Sequence, residues 1–140
     1  MEGIKVQKDI YIFPCVFIYK DTGISIYFPD LNGCVSSGEN ERDAFINARD
    51  VLCLHLYGIE QDGDDIPEPS ELRSLTINEN CTAALIEVFM PPFRAKQANK
   101  YIKKTLTIPA WLNIEAEQAG VNFSQILQNG LKEYLHITTP

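Results

Sequence analysis

The stretch 102-IKKTLTIP-109 determines how the C-terminal part of the chain is built. Its side chains alternate between two faces, mostly apolar on one and polar on the other. The first face carries Ile102, Lys104, Leu106 and Ile108, and the second carries Lys103, Thr105 and Thr107. A period of two predicts a half-buried β-strand. Pro109 cannot donate a backbone hydrogen bond and its φ suits a first helical turn, so the strand is expected to end there and a helix to begin.

Two helices are predicted after this strand. The first runs through Trp111 and Leu112 to Ala119, and Gly120 is expected to end it in the left-handed conformation. The second follows Asn122, a good N-cap residue, and carries an apolar stripe at helical spacing. The stripe consists of Phe123, Ile126, Leu127, Leu131, Tyr134 and Leu135. Gly130 interrupts it, so either another backbone crosses closely there or the helix tolerates a cost of about 1 kcal/mol.

The order strand, helix, helix, led by KKTLTIP, resembles the ribbon-helix-helix family of DNA-binding domains over residues 101–137. One strand and two short helices have too small an interior to stand alone, so a second copy is expected to bury the apolar surface. The expected dimer core is Ile102, Leu106, Ile108, Ile126, Leu127 and Leu131. The same pattern is also typical of an ordinary edge strand followed by a helical hairpin, and the pattern alone does not separate the two.

The ribbon-helix-helix resemblance implies two sets of DNA contacts. Outward strand residues of that family read base edges, and an antiparallel ribbon fits the major groove. By position these residues are Lys103, Thr105 and Thr107. The family also holds a phosphate at the N-terminus of its second helix, where free N–H groups and the helix dipole attract anions. By position that site is Asn122, Phe123 and Ser124. Lys104 departs from the family pattern, because its inward position is usually apolar, and its ammonium group is expected to reach outward.

The net charge changes sign along the chain. Its 140 residues, 45% of them hydrophobic, suffice for one ordinary domain or two small ones. Residues 1–92 carry a net charge of −10 and residues 93–140 a net charge of +3. A basic tail on an acidic body is expected when only one part meets nucleic acid. The predicted organisation is a domain at 1–90, a linker at 91–100 stiffened by two prolines, and a DNA-binding and dimerisation domain at 101–140.

The first 90 residues are predicted to form a small sheet with one helix. Strands are expected at 10–19, 24–28 and 82–89, with a hairpin turn at 21–23. The continuous apolar run of the first strand favours a strand covered on both faces, although Pro14 favours an edge or a bulge. Asn40 is expected to cap a helix that ends near Tyr57, where Gly58 closes it. The helix face expected to lie on the sheet consists of Ala44, Phe45, Ala48, Val51, Leu52, His55 and Leu56.

Neither a metal site nor a membrane segment is expected. The four cysteines and two histidines lack the close pairs of zinc ligands, and the acidic loop at 60–71 lacks the spacing of a calcium hand. We interpret Cys15, Cys34, Cys53 and Cys81 as small core residues. No cofactor is implied. The most apolar early stretch, at 10–19, contains a proline and is too short to span a bilayer, and no signal peptide precedes it, so a cytosolic location is predicted.

A second resemblance covers nearly the whole chain. An F-P-D-L-x-G-C segment, a short strand, a G-x-x-x-x-x-A helix and an I-P-x-P-S loop occur in this order, as in the HicB antitoxin family. The matching residues are Phe28, Pro29, Asp30, Leu31, Gly33, Cys34, Gly38, Ala44, Ala48, Ile66, Pro67, Pro69 and Ser70. Many members of that family end in a ribbon-helix-helix domain. The resemblance implies an α+β fold, in which a small β-sheet with a packed helix, similar to a partial ribonuclease H fold, precedes the ribbon-helix-helix domain.

The HicB resemblance also implies a function and partners. It implies a non-enzymatic antitoxin that binds a HicA-type ribonuclease toxin, represses its own operon by binding operator DNA, and forms a homodimer or a higher homo-oligomer. The toxin is expected to contact the segment that contains Phe28, Pro29, Asp30, Leu31, Gly33 and Cys34.

Two other functions stay open from the sequence. A ribonuclease H-like body could be a nuclease if its acids converged within about 4 Å of two metal ions. The candidates are Asp21, Asp30, Asp43 and Asp50, although a turn, a helix start and an exposed helix position account for three of them. The other alternative is a ribbon-helix-helix regulator whose N-terminal domain senses a small ligand.

Overall fold

The computed structural model describes residues 7–137, and its contacts divide the chain into two units between Lys100 and Tyr101. The first six residues of the predicted domain 1–90 and the last three of the predicted domain 101–140 lie outside the described residues. Within residues 7–137, no helix is both long enough and apolar enough to cross a membrane.

The N-terminal unit is built on a four-stranded antiparallel sheet. Its strands are β1 (Ile10–Lys20), β2 (Gly23–Tyr27), β3 (Val35–Gly38) and β4 (Cys81–Phe89), arranged in the order β3-β2-β1-β4. The predicted hairpin at 21–23 is confirmed, because Lys20 faces Gly23 across a tight turn. Gly23 has φ 138°, a value that residues with a Cβ rarely adopt, so glycine suits this end of the turn.

The burial on both faces predicted for the first strand is confirmed, whereas the edge position that Pro14 favours is wrong. β1 lies between β2 and β4, and the middle of β1 is buried on both faces. Pro14 is tolerated because β2 is short. The last β2 residue, Tyr27, pairs with Val16, and Pro14 pairs only with Leu85 of β4. On the side of β1 that faces β2, Pro14 has no paired residue, so its missing N–H breaks no hydrogen bond to that strand.

One helix, α1 (Glu41–Asp62), covers one face of the sheet. Asn40 caps it as predicted, since its side-chain oxygen accepts a hydrogen bond of 2.9 Å from the backbone N–H of Asp43. The helix buries Ala44, Ala48, Leu52 and Leu56 against Phe13, Cys15, Ile26 and Ile86 of the sheet. Phe45 was predicted on this face but is exposed, because the buried residues follow a narrow i, i+4 line that leaves Phe45 at its border.

The predicted end of α1 is also wrong. The helix passes through Gly58 and ends at Gly63, which adopts the left-handed conformation with φ 73°. Gly58 is a weak local stop signal that tertiary contacts override. Beyond it Ile59 packs against the core and Glu60 pairs with Arg94, and both contacts require another turn of helix.

The predicted linker at 91–100 is largely helical. Helix α2 (Met90–Gln97) begins directly after β4, with prolines in its first turn, where they remove no helical hydrogen bond. Arg94 holds α2 to the end of α1 through two bonds to the Glu60 carboxylate, of 2.7 and 3.0 Å, and it also donates to the Lys8 carbonyl. The Glu60 side chain is only 3% exposed, and this hydrogen bonding raises the pKa of Arg94. Residues 91–97 therefore belong to the N-terminal unit.

The C-terminal unit contains α3 (Ala110–Gln118) and α4 (Phe123–Tyr134). Both predicted helices are confirmed, with Pro109 as the N-cap of α3 and Gly120 left-handed at φ 67°. The strand predicted at 102–108 is not formed in the single chain. A strand is defined by hydrogen bonds to a neighbouring strand, and no other strand lies within the described part of this unit.

Candidate functional site

The segment expected to contact the toxin folds into a tight turn between β2 and β3. Three backbone bonds of 3.1 Å close it: Phe28 N–H donates to the Cys34 carbonyl, Leu31 N–H to that of Phe28, and Cys34 N–H to that of Leu31. Gly33 has φ 80°, so this position favours a residue without a Cβ. The glycine and the closed hydrogen bonds give the turn one defined conformation.

Five of the six candidate residues are either buried or exposed, and Asp30 is half-buried. Phe28, Leu31 and Cys34 belong to the hydrophobic core and support the turn from inside. Pro29 and Gly33 are exposed and lie on its outside. A turn lacks the regular repeat of a strand or a helix. The sequence pattern alone therefore did not show which side chains of this turn are buried and which are exposed.

Asp30 connects this turn to the proline-punctuated loop. Its two carboxylate oxygens accept bonds of 2.9 Å from the backbone N–H and 2.5 Å from the hydroxyl group of Ser70. Asp30 of the F-P-D-L-x-G-C pattern and Ser70 of the I-P-x-P-S pattern are therefore in contact, although they lie 40 positions apart in the sequence. Sequence reasoning missed this pair, because no local signal relates residues so far apart. The contact assigns Asp30 a structural role.

The acids considered for a nuclease do not converge. Asp30 is bonded to Ser70, Asp21 lies in the β1–β2 turn, and Asp43 lies in the first turn of α1. Asp50 is exposed on the same helix. Among residues 7–137, no group of three or more His, Cys, Asp or Glu side chains is arranged to hold a metal ion.

The buried cysteines are packed as core residues. Burial raises the pKa of the Cys15 thiol to about 12, with the neighbouring Cys34 adding to the rise, and it raises the pKa of Cys34 to about 11. The Cys34 thiol lies 3.7 Å from the Val51 carbonyl. Both thiols therefore stay protonated at neutral pH, and a nucleophile or a metal ligand needs the thiolate. Cys53 and Cys81 are partly exposed.

The residues expected to contact DNA all lie on the surface of the C-terminal unit. Lys103, Thr105 and Thr107 are exposed. The side chain of Asn122 caps α4 by accepting a 3.0 Å bond from the Gln125 N–H, as an N-cap residue does. The N–H groups of Phe123 and Ser124, in the first turn, have no acceptor within the helix and are suited to an anion.

The residues expected to form the dimer core are exposed in the single chain. Neither α3 nor α4 contains a buried residue. The exposed side chains of the expected core are Ile102, Leu106, Ile108, Ile126, Leu127 and Leu131. An uncovered apolar surface of this extent is typical of a surface that meets another molecule.

Comparison with known proteins identifies the family. The model of the HicB-like antitoxins of bacterial toxin-antitoxin systems matches residues 13–129. An uncharacterized 14.9 kDa protein in the rep-hol intergenic region of Haemophilus phage HP1 is 24% identical over 101 residues, which are 72% of this chain and 75% of that protein.

Two solved structures are similar in fold. A toxin-antitoxin complex from Streptococcus pneumoniae contains a chain with a TM-score of 0.58 and 24% identity, over 89% of this chain and 99% of that one. The antitoxin HicB of Burkholderia pseudomallei has a TM-score of 0.53 and 21% identity, over 89% of this chain and 98% of that one. Since the family model extends from within β1 into α4, this chain belongs to the HicB-like antitoxins of bacterial toxin-antitoxin systems.

Proposed function

We propose that this chain neutralises a HicA-type ribonuclease toxin through its N-terminal unit and represses its own operon through a ribbon-helix-helix dimer of its C-terminal unit. Membership of the antitoxin family supports the first part. The second part rests on one observation above all, the exposed apolar surface of residues 102–135, which a second copy would cover.

The charge of the N-terminal part supports a basic protein partner. Residues 1–92 carry a net charge of −10, whereas an enzyme that holds RNA must present positive charge to phosphates. Complementary fields accelerate the encounter and disfavour wrong partners. The antitoxin then acts by covering the toxin rather than by chemistry of its own. In keeping with this, Asp21 lies in the β1–β2 turn, Asp43 in the first turn of α1, and Asp30 is bonded to Ser70.

The C-terminal unit has the parts of a DNA-reading dimer. Pairing of residues 102–108 with the same residues of a second copy supplies the missing strand neighbour and covers Leu106 and Ile108. The opposite face then presents Lys103, Thr105 and Thr107 from each chain to the major groove. Lysine donates to guanine O6 or N7, and threonine offers a hydroxyl to polar base edges or a methyl to thymine. Phosphate held at Asn122, Phe123 and Ser124 fixes the register without reading sequence.

Neutralisation is tested with the product of the reading frame beside this chain's gene, which the proposal expects to be a small basic protein. We expect that protein to cleave RNA and the purified full-length chain to stop the cleavage at equimolar concentration. The chain alone, with magnesium or manganese, serves as control and should cleave neither RNA, DNA nor hybrids. Unchanged cleavage in the presence of the chain contradicts the antitoxin assignment, and cleavage by the chain alone that Asp30→Asn abolishes favours a nuclease.

Operator recognition is tested by affinities for the chain's own promoter fragment and for a random duplex at one salt concentration. The triple variant Lys103→Ala/Thr105→Ala/Thr107→Ala should stay dimeric and lose its preference for the promoter, at about 1–3 kcal/mol per lost contact, while non-specific binding remains. Ser124→Ala should instead weaken binding to all sequences alike. A folded, dimeric triple variant with its preference intact rules out the proposed base-reading strand.

A further inference from the structure

One end of the sheet leaves apolar side chains uncovered on the face opposite α1. Alternate residues of a strand point to opposite faces, so Phe13 of β1 and Ile86 of β4, which are buried under α1, define the covered face. The uncovered side chains are those of Ile10, Ile12, Leu85 and Phe89, which are 50%, 44%, 52% and 52% exposed. We call these four residues the open face.

The strand register makes the open face continuous. Ile10 lies directly opposite Phe89, and Pro14, two positions beyond Ile12 on the same face, lies opposite Leu85. Directly opposite residues of an antiparallel pair have Cβ atoms about 4.5–5.5 Å apart, so Ile10 and Phe89 touch or nearly touch. Leu85 is diagonal to Ile12, and the two line the same hollow. Solvated apolar residues scattered singly need no explanation, but four that adjoin on one surface do.

The proline-punctuated loop borders the open face with two hollows. One, of about 630 Å³, lies between Ile12, Leu85 and the segment 69–73. The other, of about 490 Å³, lies between residues 10–13 of β1 and the segment 63–69. Ile12 and Pro69 line both hollows, so the two adjoin at these residues. A partner side chain could enter either hollow while the open face is covered.

Acidic side chains lie at the edges of this surface. Glu87, on the edge strand β4 between Leu85 and Phe89, lies opposite Ile12 on the same face, and Asp64 and Glu68 line the smaller hollow. None of these three carboxylates takes part in a salt bridge within residues 7–137. Two cations are also near: Lys8 lines the smaller hollow, and Arg73 lines the larger one but is paired with Glu71 at 2.7 Å. We call Glu87, Asp64 and Glu68 the acidic rim.

We propose that the open face and its acidic rim are the surface on which the basic toxin docks. An apolar centre with a charged, solvated rim is the usual anatomy of a protein interface. The charge selects the occupant: a cationic ribonuclease complements the rim, whereas a second copy of this chain would bring the same carboxylates against each other. The turn at 28–34 offers no comparable anchor, because its large apolar side chains, Phe28 and Leu31, are in the core. The inference rests on the proposed function and specifies its contact surface.

The test measures binding of full-length variants to a catalytically inactivated form of the small basic protein that the proposed function expects the neighbouring reading frame to encode. Leu85→Lys removes an anchor and adds a charge that repels the toxin, so we expect affinity to fall about 100-fold. Glu87→Lys should weaken affinity about tenfold, mainly through slower association that depends less on salt. The matched control is Leu54→Lys on α1, where the leucine is 58% exposed, and its affinity should stay within about twofold of wild type.

The outcomes separate this inference from the proposed function. If the wild-type chain does not bind the basic protein, the antitoxin assignment fails and the inference fails with it. If the wild-type chain binds the basic protein, and the Leu85→Lys and Glu87→Lys variants bind it as tightly as the Leu54→Lys control, only the proposed docking surface is wrong. A lowered oligomeric mass of the free Leu85→Lys chain, with toxin affinity unchanged, would mean that a second copy covers the open face. Matching thermal unfolding curves of the three variants establish that each is folded, and Glu87→Lys still decides if Leu85→Lys is not.

Discussion

The two units of this chain treat their apolar residues in opposite ways. In the N-terminal unit, α1 lies across the sheet and completely buries Ala44, Leu52 and Leu56. In the C-terminal unit, Leu127, the most sheltered large apolar side chain of α4, is still 37% exposed. Both α1 and α4 have an apolar stripe, so the difference lies in what each unit offers to cover it: a sheet of four strands in the first unit and only the short helix α3 in the described part of the second. The first unit can therefore be stable as a monomer, whereas the proposed partner copy would cover the apolar surface of the second.

The largest effect is expected from Leu106→Asp in the C-terminal unit. A carboxylate on the apolar face of the proposed ribbon would be buried without a partner, so the dimer should be lost and DNA binding with it. The N-terminal unit holds its core alone, so toxin neutralisation should remain. Sedimentation equilibrium and promoter binding measure the loss.

The matched control for Leu106→Asp is Thr107→Asp, which places the same charge on the opposite face of the same stretch. This variant should weaken DNA binding while remaining dimeric. Equal dimer dissociation constants for Leu106→Asp and the wild type would mean that residues 102–108 are not the contact between copies.

The second-largest effect is expected from Gly38→Ala in the N-terminal unit, which buries its own hydrophobic core. A Cβ at Gly38 would lie 2.3 Å from the backbone nitrogen of Ala44, so β3 and the first turn of α1 would have to separate. We expect the free energy of unfolding to fall by about 2–4 kcal/mol, independently of protein concentration. Urea unfolding at two protein concentrations provides the measurement. A change below about 0.5 kcal/mol would show that this approach of strand and helix is not a tight constraint.

Local signals predicted much of this fold. The β1–β2 turn and the caps at Asn40 and Asn122 depend on neighbouring residues and are confirmed. The errors occurred where distant residues decide. The pattern at Gly58 predicted a helix end, but α1 continues because Ile59 packs against the core and Glu60 pairs with Arg94. The same pair holds α2, which includes residues 91–97, against the N-terminal unit. Two prolines near a change of composition resemble a linker, although prolines also fit the first turn of a helix.

The candidate sites show the same limit. Family resemblance indicated the segment 28–34, but spacing does not reveal which of its side chains enter the core or that Asp30 meets Ser70. The open face was not foreseen either, since whether Ile10 and Leu85 are covered depends on which face α1 occupies and how residues 69–73 cross the other. Residues 102–108 were predicted as a strand because their apolar and polar side chains alternate. The described part of the C-terminal unit contains no strand for them to pair with, and the proposed partner copy would supply one.

The smallest effect comes from one substitution made in both units, Gly58→Ala and Gly130→Ala. Each glycine lies inside a helix, and a Cβ added at either position meets no atom within 4 Å outside the helix backbone of the single chain. Alanine exceeds glycine in helix propensity, so Gly58→Ala should raise the free energy of unfolding of the N-terminal unit by about 0.5–1 kcal/mol. Urea unfolding measures this gain, and a loss of stability would reveal a neighbour of Gly58.

Gly130→Ala should have the opposite sign, because Gly130 follows Ile126 by four residues and Leu127 by three and so lies within the apolar stripe of α4. If a second copy packs there, the added methyl group separates the two helices, and we expect the dimer dissociation constant to rise about tenfold, or about 1.4 kcal/mol, despite the better local propensity. Sedimentation equilibrium of the two alanine variants makes the comparison, with Gly58→Ala as the control that leaves the dimer unchanged. A dimer tightened by Gly130→Ala would mean that no backbone crosses at this glycine and that the helix merely tolerates it.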